Sequence, residues 1–267
     1  MSKRKFGTRE WATRNLNFFI GCSHNCYYCY ARYNWCKRWK KMPVEKWKEM
    51  ELNKRLFWEK PKLIKDGRCM CPTRHDILPE HIEETLDYLG RWLEVGNEIL
   101  ITSKPHLECI KAICNEFKDD YKEQIVFRFT IGSMDQSILD FWEKDAPSYI
   151  ERMQSLRHAF ECGYKTSVSC EPYLDKNIYL LAETFLPYIT DTIWIGKMNY
   201  MDQRVGKREN LISQGWSDKD LQYYDMVVES QTDEFVRRLY DLYKNVNKIR
   251  WKDSIKEVLG LPEEEIG

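Results

Sequence analysis

Residues 21–30 read GCSHNCYYCY and contain three cysteines, Cys22, Cys26 and Cys29, in the spacing C-x3-C-x2-C. A β-prone run at residues 16–20 precedes them, so the loop is expected at the carboxyl end of a first strand, where parallel α/β folds place their sites. Three thiolates this close in sequence can bind one metal centre and leave a position open for a substrate or cofactor. The motif therefore predicts an open metal site at one end of an α/β sheet.

Two other interpretations of these cysteines remain open from the sequence. The thiols could bind zinc, with Cys36 or His24 completing the site, or they could pack together in the interior. The alternative function is therefore a non-catalytic protein that binds zinc or an iron–sulfur cluster and interacts with nucleic acid. Metal analysis under anoxic conditions separates these alternatives.

The composition predicts a soluble globular protein. The chain has 267 residues, with 42 basic and 42 acidic side chains and ten cysteines. Its longest run without a charged side chain, residues 15–31, contains polar residues and cysteines, so no membrane span is expected. The N-terminal residues carry positive charge without an apolar segment behind them, which predicts a cytoplasmic protein. Thiols stay reduced there, so the cysteines are interpreted as ligands, reactive thiols or core residues rather than disulfides.

Short β-prone runs alternate with amphipathic helical patterns along the chain. Six runs are rich in β-branched and aromatic residues and end at turn residues: 16–20, 68–72, 98–102, 125–131, 165–170 and 192–195. Strands that are each followed by a helix predict a parallel α/β sheet with right-handed crossovers. Six units are too few for an eight-stranded barrel, so a partial barrel or an open doubly wound sheet is expected.

Two helices have clear ends in the sequence. One is predicted to start at Pro79 and to stop at Gly96. Another is predicted to start at Ser148, with Glu151 placed to complete a capping box.

The C-terminal part of the chain is predicted to be helical. From Thr232 onward, amphipathic patterns predict helices that cover an end or an edge of the sheet. We therefore expect a core over residues 1–200 and a helical extension over residues 201–267, packed on the core within one structural domain.

The cysteine loop resembles that of the radical S-adenosylmethionine (radical SAM) superfamily, in which an aromatic residue, here Tyr28, precedes the last cysteine. Within this superfamily, the stretches GCSHNCYYCYAR and SYIERMQSLRHAFECGYKTSVSCEP are similar to the spore photoproduct lyase branch. The resemblance implies a partial (β/α)6 TIM barrel with C-terminal helices. It also implies a [4Fe-4S] cluster on Cys22, Cys26 and Cys29 and SAM bound to the open iron, which together yield a 5′-deoxyadenosyl radical. That radical would abstract hydrogen from an unknown substrate, and an external reductant of the flavodoxin or ferredoxin type would supply the electron.

The resemblance further implies which residues hold SAM. The candidates lie in the cysteine loop or near the carboxyl end of a strand: Tyr28, Thr73, Lys104, Thr130, Ser133, Glu171 and Asn199. Lys104 is expected to pair with the carboxylate of SAM, and Tyr28 to place its backbone beside the adenine. The Gly-Gly-Glu of the family is absent after the second predicted strand, so backbone carbonyls near Thr73 are expected to meet the amine. For each candidate, a polar side chain that simply meets water is the alternative.

Three residues near the second predicted strand are candidates for catalysis. His75 and Asp76 could transfer protons on the substrate side, because His titrates near neutral pH. Alternatively, Asp76 caps the turn before Pro79 and His75 packs nearby. Cys71 lies where the photoproduct lyase branch has a hydrogen-donating cysteine, and a buried core position is its alternative. Five further cysteines are expected to be core residues: Cys69, Cys109, Cys114, Cys162 and Cys170.

Residues 31–68 carry 13 basic and 5 acidic side chains, a local excess of eight positive charges. Trp35, Trp39, Trp47 and Trp58 are interleaved with them. Aromatic rings stack bases and basic groups neutralise phosphates, so the segment is a candidate nucleic-acid surface beside the cysteine loop. The alternative is a pair of amphipathic helices whose Trp side chains pack on the sheet while Lys faces water.

Overall fold

Strands and helices alternate through the structure, a computed structural model that describes residues 7–262. The strands of this part of the chain are β1 (Arg14–Asn15), β2 (Phe19–Ile20), β3 (Glu51–Leu52), β4 (Cys69–Cys71), β5 (Ile99–Ser103), β6 (Ile125–Thr130), β7 (Lys165–Cys170), β8 (Ile193–Ile195) and β9 (Ile249–Trp251).

The α-helices of the same residues connect or cover these strands. They are α1 (Tyr30–Arg32), α2 (Lys54–Phe57), α3 (Ile82–Glu94), α4 (Leu107–Phe117), α5 (Gln136–Trp142), α6 (Tyr149–Glu161), α7 (Ile178–Phe185), α8 (Met201–Arg204), α9 (Arg208–Ser213), α10 (Asp218–Ser230), α11 (Asp233–Tyr243) and α12 (Asp253–Leu259). Within residues 7–262, no helix has the length and apolar character needed to span a bilayer.

Seven strands form one sheet in the order β1-β4-β5-β6-β7-β8-β9, and every neighbouring pair is parallel. The strands β2 and β3 pair antiparallel in a separate ribbon. A parallel sheet with a helix between most successive strands is consistent with a TIM-like α/β fold.

The first predicted strand, residues 16–20, was placed wrongly. The ladder with β4 begins at Arg14, and its last bond runs from the Leu16 N–H to the Met70 carbonyl at 2.8 Å. The chain then leaves the sheet because the side chain of Asn17 binds the backbone beyond β4. The next residues pair with β3 instead. The other five predicted strands are present as β4 to β8, with each end within one residue of the prediction.

The C-terminal extension is not purely helical. The helices α11 and α12 are present as predicted, but the strand β9 between them joins the sheet beside β8. Three residues are too few for a periodic pattern to reveal a strand. The division of the chain at residue 200 stays a prediction.

The predicted capping box at the start of α6 is half formed. The Ser148 hydroxyl accepts a hydrogen bond from the Glu151 N–H at 3.2 Å, as expected. The Glu151 carboxylate instead accepts from the Leu107 N–H at 3.0 Å. This N–H is one of the unpaired donors at the start of α4, so one glutamate links two helices.

The two faces of the sheet carry different side chains because neighbours along a strand alternate. The outer face packs on α3, α4, α6 and α7 through residues such as Ile101, Phe127 and Val168. The inner face carries a smaller buried cluster: Trp11, Ala12, Met70, Leu100, Val126 and Trp194. Beyond this cluster, the inner face opens at the carboxyl ends of the strands.

Candidate functional site

A cavity of about 620 Å³ lies at the carboxyl ends of the parallel strands. Successive strands β4 to β8 each contribute to its wall, through Pro72, Lys104, Thr130, Glu171 and Lys197. Most of the residues predicted to form the site line this one cavity: Cys22, Cys26, Tyr28, Cys29, Thr73, His75, Asp76, Lys104, Thr130, Glu171 and Asn199. Residues spread over most of the chain therefore meet at one place.

Close backbone packing holds the start of the cysteine loop. The Cys22 N–H donates to the Trp47 carbonyl at 2.9 Å. Gly21 has a φ of +92°, and a Cβ there would lie 2.5 Å from the Glu49 carbonyl oxygen. Only glycine fits this position, which explains the glycine that precedes the first cysteine.

Arg32 holds the rest of the loop. Its guanidinium donates to the Asn25 side chain at 2.7 Å and to the Tyr27 carbonyl at 2.9 Å. Its backbone N–H donates to the Cys29 sulfur at 3.4 Å at the start of α1. The third cysteine is therefore fixed by local backbone structure.

The three loop cysteines are free thiols that face the cavity. Burial raises the pKa of Cys22 well above its usual range and that of Cys26 to about 12. Such thiols ionise when a bound cation compensates the thiolate charge. Three free thiols at one cavity are a donor set that fits an iron–sulfur cluster or a zinc ion.

Asp76 is the centre of a polar network beside the cysteines. Its carboxylate accepts from the Lys104 N–H at 2.8 Å and the Ser103 hydroxyl at 2.9 Å. It also contacts His24 Nδ1 at 2.8 Å and the Lys104 ammonium at 3.7 Å. Burial alone would raise the pKa of Asp76, but the charges of Lys104 and His24 hold it well below its usual range. Asp76 thus joins the loop after β4 to the end of β5.

His75 is engaged by backbone groups and aromatic rings. Its Nε2 accepts from the Phe19 N–H at 3.4 Å, and its Nδ1 donates to the Asp76 carbonyl at 3.0 Å. The ring lies edge-on to Phe18 and Phe19. Burial lowers its pKa to about 4. This geometry agrees with the packing alternative rather than with proton transfer near neutral pH.

Two predicted site residues lie outside the cavity wall. Cys71 is fully buried in the outer-face core, because side chains of β4 alternate and Met70 faces inward instead. The Ser133 hydroxyl donates to the Asp175 carboxylate and accepts from the Asp135 N–H at 3.0 Å. The structure therefore brings neither side chain to the cavity.

Tyr28 is held by a buried ion pair that the sequence prediction missed. Its hydroxyl donates to Glu143, which pairs with Arg152, and both partners of the pair have side chains that are 0% exposed. The Lys104 ammonium lies 5.8 Å from the centre of the Tyr28 ring. Burial alone would raise the pKa of Glu143, but the charges of Arg152 and Lys104 lower it. Charged residues on amphipathic helices usually face water, so the sequence carries no signal for this pair.

Thr73 is held by Asn17. The Asn17 side chain accepts from the Thr73 N–H at 2.9 Å and donates to the Thr73 hydroxyl at 2.8 Å. The Thr73 carbonyl accepts from the Tyr30 hydroxyl. One of the carbonyl groups predicted to meet the SAM amine is thus already engaged by a side chain.

Glu171 faces a lysine from the C-terminal part of the chain. The Lys252 ammonium lies 3.7 Å from its carboxylate and also pairs with Glu10. Burial raises the pKa of Glu171 despite this positive charge. Lys252 follows β9, so failure to predict that strand also hid this contact.

The basic segment 31–68 is not a pair of amphipathic helices. It consists of short helical turns, a π-helix at Tyr33–Arg38 and the strand β3. Trp47 is buried, whereas Trp39 and Trp58 are 48% and 67% exposed.

One part of this segment adjoins the cavity. The Arg74 guanidinium lines the cavity and lies 5.7 Å from the centre of the Trp35 ring. The Lys41 ammonium lies 4.9 Å from Trp35 and 5.5 Å from Trp39. The exposed cationic and aromatic surface therefore continues from the cavity wall.

Comparisons with known proteins agree with this fold. No family model matches the chain. A protein described as uncharacterized ORF301, from Acidianus two-tailed virus, is 26% identical over 181 aligned positions, and the match covers 62% of this chain. The chain spans only 57% of the length of that curated relative. A solved structure of spore photoproduct lyase complexed with dinucleoside spore photoproduct superposes with a TM-score of 0.51 at 12% identity, over 89% of this chain and 75% of that chain. The two proteins therefore share a fold.

Proposed function

We propose that the protein is a radical SAM enzyme with a partial (β/α)6 barrel core and a [4Fe-4S] cluster on Cys22, Cys26 and Cys29. The observation that carries this proposal is that the three thiols and Lys104 line one cavity of about 620 Å³ at the strand ends. The fold shared with spore photoproduct lyase supports it. Cluster and SAM would supply the chemistry of a 5′-deoxyadenosyl radical, which abstracts hydrogen from a substrate.

The side chains of the cavity have distinct roles in this proposal. Lys104 binds the carboxylate of SAM, and Asp76 holds the Lys104 backbone and ammonium in place. Tyr28, fixed by Glu143, places the backbone of the loop beside the adenine. Other polar groups of the cavity wall bind the ribose or the substrate: Thr130, Glu171 and Asn199.

Product analysis tests the reaction. Protein reconstituted with iron and sulfide without oxygen, then given dithionite and SAM, is expected to release 5′-deoxyadenosine and methionine. Cys26→Ala is expected to lose both products, whereas Cys36→Ala, which removes a thiol outside the cavity wall, retains them. If wild type released no more 5′-deoxyadenosine and methionine than Cys26→Ala, the proposal would be contradicted. A flavodoxin or ferredoxin is expected to replace dithionite.

A zinc site remains the second candidate because His24 and Asp76 lie beside Cys22, with their ligand atoms within 4.8 Å of one another. A site of this kind would leave the protein without iron, and His24→Ala would lower the zinc content by one ion per chain. Anoxic metal analysis of the wild type and His24→Ala therefore decides between the two centres.

We further propose nucleic acid as the substrate class. The exposed Trp39 and the cationic residues around it continue from the cavity wall through Trp35 and Arg74. Stacking on aromatic rings and phosphate neutralisation are the two interactions that bind single strands.

Salt-dependent binding of oligonucleotides tests this substrate class. Reversal of four exposed charges at Lys37, Arg38, Lys40 and Lys41 to Glu is expected to weaken binding and to flatten its salt dependence. The matched control reverses four exposed charges outside the segment, at Lys118, Lys219, Arg238 and Lys244. An equal loss of oligonucleotide binding in both variants would show that binding depends on net charge rather than on this segment, and would contradict the proposed surface.

A further inference from the structure

A second group of metal-binding side chains lies in the helical layer, outside the cavity. Cys114, His158 and Cys162 each offer one ligand atom, and these atoms all lie within 4.8 Å of one another. Cys114 belongs to α4, whereas His158 lies in the last turn of α6 and Cys162 caps that helix. The spacing of four residues puts His158 and Cys162 on one face of α6, and this helix packs on α4.

The distance between two of these atoms already matches a bound metal. His158 Nε2 and Cys162 Sγ are 3.5 Å apart. A tetrahedral zinc ion with bonds of roughly 2.3 Å to sulfur and 2.05 Å to nitrogen separates these two ligands by about 3.6 Å. A zinc ion therefore requires little movement of either side chain.

The chemical state of the three groups also suits a soft metal. His158 is half-buried, and an imidazole nitrogen is a common zinc ligand. Cys162 was expected in the core but is exposed, whereas Cys114 is buried. A metal can thus enter from solvent and meet two sulfurs and one nitrogen, a donor set that selects zinc over magnesium or calcium.

We propose that Cys114, His158 and Cys162 bind one zinc ion, with solvent in the fourth position. Binding releases the thiol protons and joins the last turns of α4 and α6. The proposal is independent of the cavity, because none of the three residues lines it.

Metal titration of the reconstituted, reduced protein tests this site. Wild type is expected to bind one zinc in addition to its iron, and cobalt is expected to give thiolate-to-metal absorption. Neither His158→Gln nor Cys162→Ser alters a fully buried side chain. Each is expected to weaken zinc binding by more than about tenfold, because loss of a ligand costs more affinity than loss of that ligand's hydrogen-bond partner. His81→Gln, a histidine outside both sites, is the matched control and should bind zinc normally.

Two further measurements separate this site from the cysteine loop. Cys26→Ala is expected to keep the zinc bound at His158 while it loses iron, and zinc should raise the Tm of wild type but not of His158→Gln. Zinc binding that His158→Gln and Cys162→Ser leave unchanged would overturn the proposal. A Cys114–Cys162 disulfide in the purified protein, with no zinc bound after its reduction, would overturn it as well.

Discussion

Arg128 of β6 and Arg152 of α6 are both buried, but their charges are balanced in different ways. Beside Trp11 and Trp194, the Arg128 guanidinium lies 4.8 Å from the centre of the Trp11 ring. It donates to Asp191 at 3.0 Å, and the Asp191 side chain is 32% exposed. Aromatic rings and a partly hydrated carboxylate therefore share this charge.

Arg152 is balanced by a carboxylate that is buried with it. Arg152 pairs with Glu143, and neither side chain reaches solvent. Lys104 and Asp76 lie beside the same cavity. The burial of an ion pair carries a high desolvation cost. One buried arginine is thus balanced by aromatic rings and a partly hydrated carboxylate, and the other by a carboxylate buried with it.

The largest expected effect on stability comes from the buried pair of Arg152 and Glu143. Arg152→Met leaves Glu143 as a buried carboxylate without its main cation, and we expect a loss of about 3–5 kcal/mol in the free energy of unfolding. Urea unfolding measures this loss. The double variant Arg152→Met with Glu143→Gln should recover part of it, because the unpaired charge is gone. A loss below about 1 kcal/mol in the single variant would show that water reaches Glu143.

The next effect concerns ligand binding at the cavity. Lys104→Met is expected to weaken SAM binding by about tenfold to a hundredfold, since a charged hydrogen bond contributes about 1.5–3 kcal/mol. Equilibrium binding of SAM to the reconstituted protein measures this change. Lys197→Met is the control, because Lys197 lines the same cavity but its ammonium lies 3.9 Å from Asp233. If Lys104→Met and wild type bound SAM with equal affinity, the proposed contact between Lys104 and SAM would be wrong.

A smaller effect is expected at Arg128. Arg128→Met should cost about 1–2 kcal/mol of the free energy of unfolding, because solvent can hydrate the Asp191 carboxylate that is left behind. SAM binding should stay at the wild-type level. Weaker SAM binding in this variant would show that Arg128 and the cavity are coupled.

The smallest expected effect is on the pH dependence of stability. Arg152 and Lys104 hold the pKa of Glu143 below its usual 4.5, so its contribution to stability is fully present above that pH. It is lost as the pH falls through the lower pKa of the folded state. Urea unfolding from about pH 7 down to pH 3 should therefore show a shallower acid dependence in Arg152→Met with Glu143→Gln than in wild type. Identical slopes would contradict the lowered pKa.

Local patterns predicted the positions of β4 to β8, and most of the predicted site residues line the cavity. The strands β4 to β8 and the helix α3 were found from β-branched runs and from apolar residues at helical spacing. Residues near the carboxyl ends of parallel strands meet at one edge, so the resemblance together with their positions at strand ends identified Lys104, Thr130 and Glu171. Cys71 and Ser133 were misplaced because sequence position near a strand end does not say which way a side chain points.

Spacing within short segments was enough to predict the three-cysteine loop, the alternation of strands and helices, and a site at the strand ends. The folded structure was needed to reveal that Glu143 and Arg152 hold Tyr28, that β9 brings Lys252 to Glu171, and that Cys162 is exposed beside Cys114 and His158. Each of these contacts joins residues from separate elements. Burial and partner choice are set where elements pack against each other, and no local pattern of residues records that packing.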